Sequence, residues 1–280
     1  MAARARLQQY WPLRLARRFM GRHHEFAPAG YASVMSIETP EELEQLKAAG
    51  RVVAQAIRAM RSQVRPGITT RELDRVGARV FAKAGARSGP SLDYGFPGTN
   101  CISVNDEAVH GIPSKRRLRK GDLVKLDVTA ELDGFYADAC VSVAVGTAAH
   151  STLRLAAASR VALNRALQAA RAGVPINTIG RTVQASVHSD GYAVCTDLMG
   201  HSIGRRIHEP PNIPNYDAPG LVQPLTEGLV ITIEPIIAAG RGAVREAGDG
   251  WTIRTQDGSY AAHCEHTIVI TAAAPLILTA

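Results

Sequence analysis

Apolar residues recur first with the period of a helix and then with the period of a strand. From Thr39 to about Val64 the spacing predicts an amphipathic helix, opened by the capping box Thr39-Pro40-Glu41-Glu42 and stopped by Arg65-Pro66-Gly67. A second helix follows, capped by Thr69-Thr70-Arg71-Glu72, with Leu73, Val76 and Val80 on its apolar face and Gly85 at its end. The period then drops to two. Residues 121–129 alternate and are rich in β-branched side chains, Leu132-Asp133-Gly134 supplies a hairpin turn, and Phe135-Tyr136-Ala137-Asp138 runs back. The order then recurs: a helix from Ser151 to about Ala172, a break at Gly173-Val174-Pro175-Ile176, a helix capped by Asn177 and reaching toward Ser189, and apolar runs at 229–233 and 265–270.

This recurrence predicts a diverged internal duplication. Each half runs helix, Pro/Gly break, helix, histidine-bearing segment and carboxylate-bearing strands. Two such halves meeting at a pseudo-twofold axis give an α+β architecture, a curved antiparallel sheet covered by helices on its outer face, with a central cleft.

Acids inside the apolar strand runs change the picture from fold to chemistry. Asp127 and Asp138 stand about equally far from the hairpin turn, which predicts two carboxylates facing one site from neighbouring strands. Glu234 ends the run 229–233 and precedes Pro235, and Glu265 begins the run 265–270. One such acid alone would more often be an edge-strand charge or a turn cap. Four together are costly to bury without a cation, and their charge of about −4 is cancelled by two divalent ions. Oxygen ligands with an imidazole suit Mn, Fe, Co or Zn, and paired metals roughly 3.5–4 Å apart activate a bridging water. His110, His201 and His208 lie in the connecting segments.

Length and composition fit this reading. The chain has 280 residues with 46% hydrophobic content, enough for one substantial core. Cys101, Cys140, Cys195 and Cys264 form no C-x-x-C pair, so they mark neither a zinc finger nor a disulfide framework and suit a reducing, cytoplasmic setting. No stretch approaches the roughly 20 apolar residues of a membrane span. The net charge of +7 is uneven: Arg4, Arg6, Arg14, Arg17, Arg18 and Arg22 fall in residues 1–24, which contain no acid, and the remainder is nearly neutral, which argues against DNA binding. Residues 1–35 are therefore expected as a basic, disordered extension and 36–280 as a single domain. The leader's alternation of arginine with Tyr10, Trp11, Leu13 and Phe19 also suits a transit peptide, a membrane-surface helix or an RNA-contacting arm.

Tyr94-Gly95-Phe96-Pro97, Cys101-Ile102-Ser103-Val104-Asn105 and His110-Gly111-Ile112-Pro113 resemble the first signature of the type I methionine aminopeptidases, metallopeptidases of the pita-bread (creatinase/aminopeptidase) fold. Gly200-His201-Ser202-Ile203-Gly204-Arg205, His208-Glu209-Pro210-Pro211, Thr232-Ile233-Glu234-Pro235 and Glu265-His266-Thr267 are similar to the later signatures, so the resemblance spans about Ser36 to Thr271. It implies that Asp127, Asp138, His201, Glu234 and Glu265 ligate two metals. In that scheme Asp138 and Glu265 bridge, Asp127 belongs to one ion, and His201 with Glu234 belongs to the other. His110 and His208 match non-ligand histidines that contact the substrate and stabilise the tetrahedral intermediate, and Glu234 handles a proton as a metal-activated water attacks the first peptide carbonyl. Phe96, Cys101 and Trp251 are candidate walls of the methionine pocket. The implied substrate is the N-terminal Met of nascent polypeptides with a small second residue, and the expected state is a monomer.

The sequence departs from the family pattern at three places. Ser202 replaces a usual glycine, Leu92-Asp93-Tyr94 shifts an aromatic, and His263-Cys264 replaces a polar and aromatic pair before Glu265. Two rival functions remain in view. A proline-specific peptidase of the same fold would carry a large domain before the catalytic one. A ribosome- or RNA-associated binding module would use Lys115-Arg116-Arg117 and Arg119-Lys120, which otherwise read as a solvated loop, and the same patch makes the ribosome surface a candidate partner of an enzyme.

Overall fold

The capping signals place the first helices. In the computed structural model, which describes residues 37–280, Thr39 accepts a hydrogen bond from the Glu42 N–H and Pro40 opens helix α1, Pro40–Gln63. The Glu42 carboxylate also accepts from the Glu38 N–H, 2.7 Å away. Helix α2, Thr70–Ala84, has the full reciprocal box between Thr69 and Glu72 and closes on Gly85 in the left-handed conformation. Its buried face carries Leu73 and Phe81, with Val76 and Val80 packed alongside. The expected extension 1–35 lies outside the described residues.

Strands β1 (Arg87–Ser88), β2 (Cys101–Val104), β3 (Glu107–Val109), β4 (Leu123–Leu132) and β5 (Phe135–Ala144) complete the first half, with a short helix α3 (Gly89–Tyr94) after β1. Asp133 and Gly134 both take positive φ, 51° and 87°, the primed two-residue turn that joins twisted antiparallel strands. Strand β4 pairs antiparallel with β1, β2 and β5.

The second half repeats the plan. Helices α4 (His150–Ala169) and α5 (Asn177–Ser189) precede β6 (Ala193–Val194), β7 (Met199–Ser202), β8 (Glu209–Pro214), β9 (Val230–Ile233) and β10 (Ile236–Ala238). Then come β11 (Val244–Glu246), β12 (Ile253–Thr255), β13 (Ala261–His263), β14 (His266–Val269) and β15 (Leu276–Ile277). Two local expectations are corrected. Helix α4 stops before Ala172, whose N–H is drawn to the Thr271 carbonyl at 2.9 Å. Asn177 does not cap α5, which starts from Ile176 without a side-chain cap. Its amide instead donates to Asp217 and accepts from the Ala218 N–H, tying the helix to a distant loop.

Each helix pair covers its own strands. One buried cluster sets Val53, Ile57, Leu73 and Phe81 of α1 and α2 against Ile102, Val124 and Leu126. Another sets Leu155, Leu163, Ile179 and Val183 of α4 and α5 against Ile213, Ile231, Ile233 and Ile268. The α+β architecture of two related halves is as expected, although among the described residues the antiparallel strands are divided among four sheets. The halves meet along β5 and β14: the Thr267 hydroxyl accepts from the Asp138 N–H and donates to the Asp138 carbonyl, and the Glu265 N–H donates to the Cys140 carbonyl.

Close packing behind this seam leaves no room at Gly200. A Cβ there would lie 2.6 Å from the Thr232 carbonyl oxygen and 3.4 Å from Glu234 Cγ. Gly200→Ala is expected to destabilise the fold by about 1–3 kcal/mol, as overpacked cores do. Chemical denaturation checks it, and unchanged stability would refute the close contact.

Candidate metal centre

Strand register decides where the acids point. Asp127 lies opposite Cys140, and Thr129 lies opposite Asp138. The two aspartates are thus a diagonal pair rather than the nearly equidistant one expected. The offset is an even number of residues, so both still share one face. The second pair of acids comes from β9 and β14. Their ladder ends with His266 opposite Ile233, and the next position on each strand is Glu265 or Glu234. His201 enters from β7, whose Ser202 pairs with Ile231 of β9.

Threonines steady Asp138, His201 and Glu234. The Thr129 hydroxyl donates to Asp138 Oδ2 at 2.8 Å. The Thr232 hydroxyl accepts from the His201 N–H and donates to Glu234 Oε1, both at 3.1 Å. Thr267 holds the Asp138 main chain from both sides. His201 Nδ1 lies 3.0 Å from the Ser202 carbonyl. A ring proton donated there leaves the Nε2 lone pair facing the acids, the arrangement a metal-binding histidine uses.

Asp138, His201 and Glu265 offer donor atoms that all lie within 4.8 Å of one another. Glu234 Oε1 lies 3.6 Å from His201 Nε2, and the Asp127 carboxyl is close enough to that of Asp138 for the neighbouring charge to raise its pKa. Asp138, His201, Glu234 and Glu265 are buried, and Asp127 keeps partial exposure. Burial first, and the neighbouring acids second, push Asp127, Glu234 and Glu265 well above the ordinary carboxylate range. Burial raises Asp138 to about 6. Asp138 Oδ1 is buried without a hydrogen-bond partner. Oxygen donors that repel one another, one of them orphaned, beside a neutral imidazole nitrogen fit a divalent cation.

The other expected residues surround this cluster. The His208 ring lies tilted against that of His201 with centroids 4.2 Å apart, and its Nδ1 lies 2.6 Å from the Tyr94 hydroxyl. Burial raises the Tyr94 pKa, which keeps the proton that the hydroxyl can share with the ring. His110 has φ 56°, a backbone strain typical of functional positions. The next residue is pinned to β2, because the Gly111 N–H donates to Ser103 Oγ and its carbonyl accepts from the Ile102 N–H. Phe96 and Trp251 meet edge to face at 5.2 Å. Cys101 is buried on β2 opposite Asp127. In the basic loop Arg116 is tied to Glu107, whereas Lys115, Arg117, Arg119 and Lys120 are exposed.

Sequence reasoning missed two residues. Lys125 is fully buried, and its ammonium donates to the Asn105 and Ala261 carbonyls at 2.8 and 3.1 Å. Its place two residues before Asp127 on an alternating strand was the available signal. His263, noted only as a departure from a pattern, lies 3.6 Å from Glu265 Oε2 and 3.7 Å from Glu234 Oε2.

Residues 44–272 match metallopeptidase family M24. The chain is 44% identical over 247 residues to methionine aminopeptidase 2 of Bacillus subtilis (strain 168), covering 88% of this chain and 99% of that protein. Among solved structures it is similar to the methionine aminopeptidase of Thermotoga maritima, with a TM-score of 0.83, 37% identity, and 87% and 98% of the two chains covered. The prolidase of Pyrococcus furiosus shares the fold at 24% identity and a TM-score of 0.69, covering 88% of this chain and 66% of that one.

The buried acids make the metal-free protein sensitive to alkali. His110, His201 and His263 are held below their ordinary 6.5 by burial, so the stability they link to pH is lost on acidification below 6.5 and is constant above it. The carboxylates are raised, so their contribution is lost as pH rises through their folded values. Lys125, lowered to about 7 by burial, opposes them as one group against several. From pH 6.5 to about 8 the unfolding temperature in chelator is expected to fall, and saturating Mn(II) to remove that fall. A chelated protein with a flat or rising profile would contradict the burial of these charges.

Proposed function

The chain belongs to metallopeptidase family M24, and from that membership we propose that it is a metal-dependent aminopeptidase that removes the N-terminal methionine from nascent proteins and peptides. The carrying observation is the convergence of Asp138, His201 and Glu265 with Glu234 and Asp127 beside them, in a chain 44% identical to a methionine aminopeptidase along nearly its whole length. Residues 36–280 would be the single catalytic domain and 1–35 a basic extension. The proline-specific alternative is not favoured, since likeness to the prolidase extends to the fold alone.

Two divalent ions, drawn from Co, Mn, Fe or Zn, would neutralise the four carboxylates. Asp127, Asp138, His201, Glu234 and Glu265 would hold the ions. When bound, the ions supply a Lewis acid and acidify water. The protein does the rest. Glu234 takes the proton of the attacking water, and His110 and His208 contact the substrate and bear the developing charge on its carbonyl oxygen. The Tyr94 hydroxyl orients the His208 ring. Phe96, Trp251 and Cys101 would wall the methionine pocket, where a thioether packs well on aromatic and sulfur surfaces. Close walls beside this cluster favour a small second residue.

A monomer in the cytoplasm is the expected setting, where nascent chains carry the substrate, and four free buried cysteines suit a reducing compartment. No described helix is long and apolar enough to cross a membrane. The exposed Lys115, Arg117, Arg119 and Lys120 support the ribosome surface as a candidate partner.

The direct test is release of free methionine from Met-Ala-Ser by chelated protein titrated with Mn, Fe or Co, beside a Gly-Pro dipeptide. Metal-dependent methionine release is expected; cleavage of the proline dipeptide alone would reassign the enzyme. Asp138→Ala is expected to abolish binding of the ion pair, seen in metal content after dialysis. His110→Ala should keep the metals and lose about 100-fold or more in kcat. Full turnover in either variant would refute the assigned role.

A further inference from the structure

His263 ends β13 two residues before Glu265, so the period of an extended chain turns both side chains to one face. The main chain there is held firmly. The Ser142 hydroxyl accepts from the His263 N–H at 2.9 Å and donates to the His263 carbonyl at 2.8 Å, and His263 pairs with Ile236 of β10. The residue is 2% exposed, yet neither ring nitrogen has a hydrogen-bond partner. The contrast with His266 is direct, since that ring meets the Thr279 hydroxyl at 2.8 Å. A buried imidazole with neither nitrogen hydrogen-bonded is costly.

The distances identify what is missing. His263 Nε2 lies 3.6 Å from Glu265 Oε2 and 3.7 Å from Glu234 Oε2. That is too long for a hydrogen bond, which needs about 2.7–3.2 Å. Two donors that share one cation through bonds of roughly 2.0–2.2 Å lie some 3.0–3.5 Å apart at octahedral or tetrahedral angles. The observed gaps close to that range with a few tenths of an ångström of movement. The same spacing, 3.6 Å, separates His201 Nε2 from Glu234 Oε1.

We infer that His263 is a sixth protein donor of the metal centre, presenting a second imidazole nitrogen to the ion held between Glu234 and Glu265. The inference rests on the metal-centre reading above. A second nitrogen shifts the site toward Zn, Co and Fe relative to Mn, because imidazole suits the borderline metals and carboxylates the hard ones.

The test is a count of imidazoles on the metal. X-ray absorption of the Zn-loaded wild-type protein is expected to show two imidazole ligands per chain, and His263→Gln to show one. Titration calorimetry should show about a 10–100-fold loss of Zn affinity in His263→Gln, with a smaller loss for Mn. One imidazole in the loaded wild-type protein, or equal Zn affinity in the two proteins, would overturn the role of His263 and leave the metal centre standing. A wild-type protein that binds no metal would overturn both. The wild-type count stands even where His263→Gln fails to fold.

Discussion

Mutual repulsion among buried carboxylates is the constraint on which the centre of this protein depends. Asp138, Glu234 and Glu265 are enclosed by strands whose other faces build the two hydrophobic clusters, and Asp127 joins them from the edge. Lys125 is also enclosed, but its ammonium is committed to two main-chain carbonyls and leaves the acids unneutralised. Protonation or a bound cation must therefore supply the missing positive charge. The fold is arranged so that a cation can. Each acid is anchored at the end or on the inner face of a strand, and the two halves are bolted together at Asp138 by Thr267.

The threonines give the site its rigidity. Asp127-Val128-Thr129, Thr232-Ile233-Glu234 and Glu265-His266-Thr267 each place a hydroxyl two residues from an acid, on the same face of the strand. A hydroxyl there can donate to a carboxylate while its oxygen accepts a backbone N–H, as Thr232 does between His201 and Glu234. Donors held in this way need little reorganisation when a cation binds, which is the benefit of preorganised ligands.

Much of this was legible in the chain. Capping residues fixed the starts of α1 and α2, and the Asp133-Gly134 turn fixed the β4–β5 hairpin, because each signal acts within a few residues. The acids stood out because charge inside an apolar strand has few explanations. What stayed hidden depended on distant contacts. Asn177 had the chemistry of a cap, but a loop some forty positions on took its amide. The two-residue offset between Asp127 and Asp138 follows from the register set at the turn, which a count of residues only approximates. Lys125 and His263 look like an edge-strand charge and a core histidine until β13 is seen to bring the Ala261 carbonyl to the lysine and the imidazole to Glu265.

Family membership and the geometry of the acids thus converge on one claim, that cations complete the centre of the fold. The most direct measurement is anomalous diffraction from crystals soaked in Mn(II). The account predicts two peaks roughly 3.5–4 Å apart, enclosed by Asp127, Asp138, His201, Glu234 and Glu265. No peak there, or a peak bound away from Asp138 and Glu265, would contradict it.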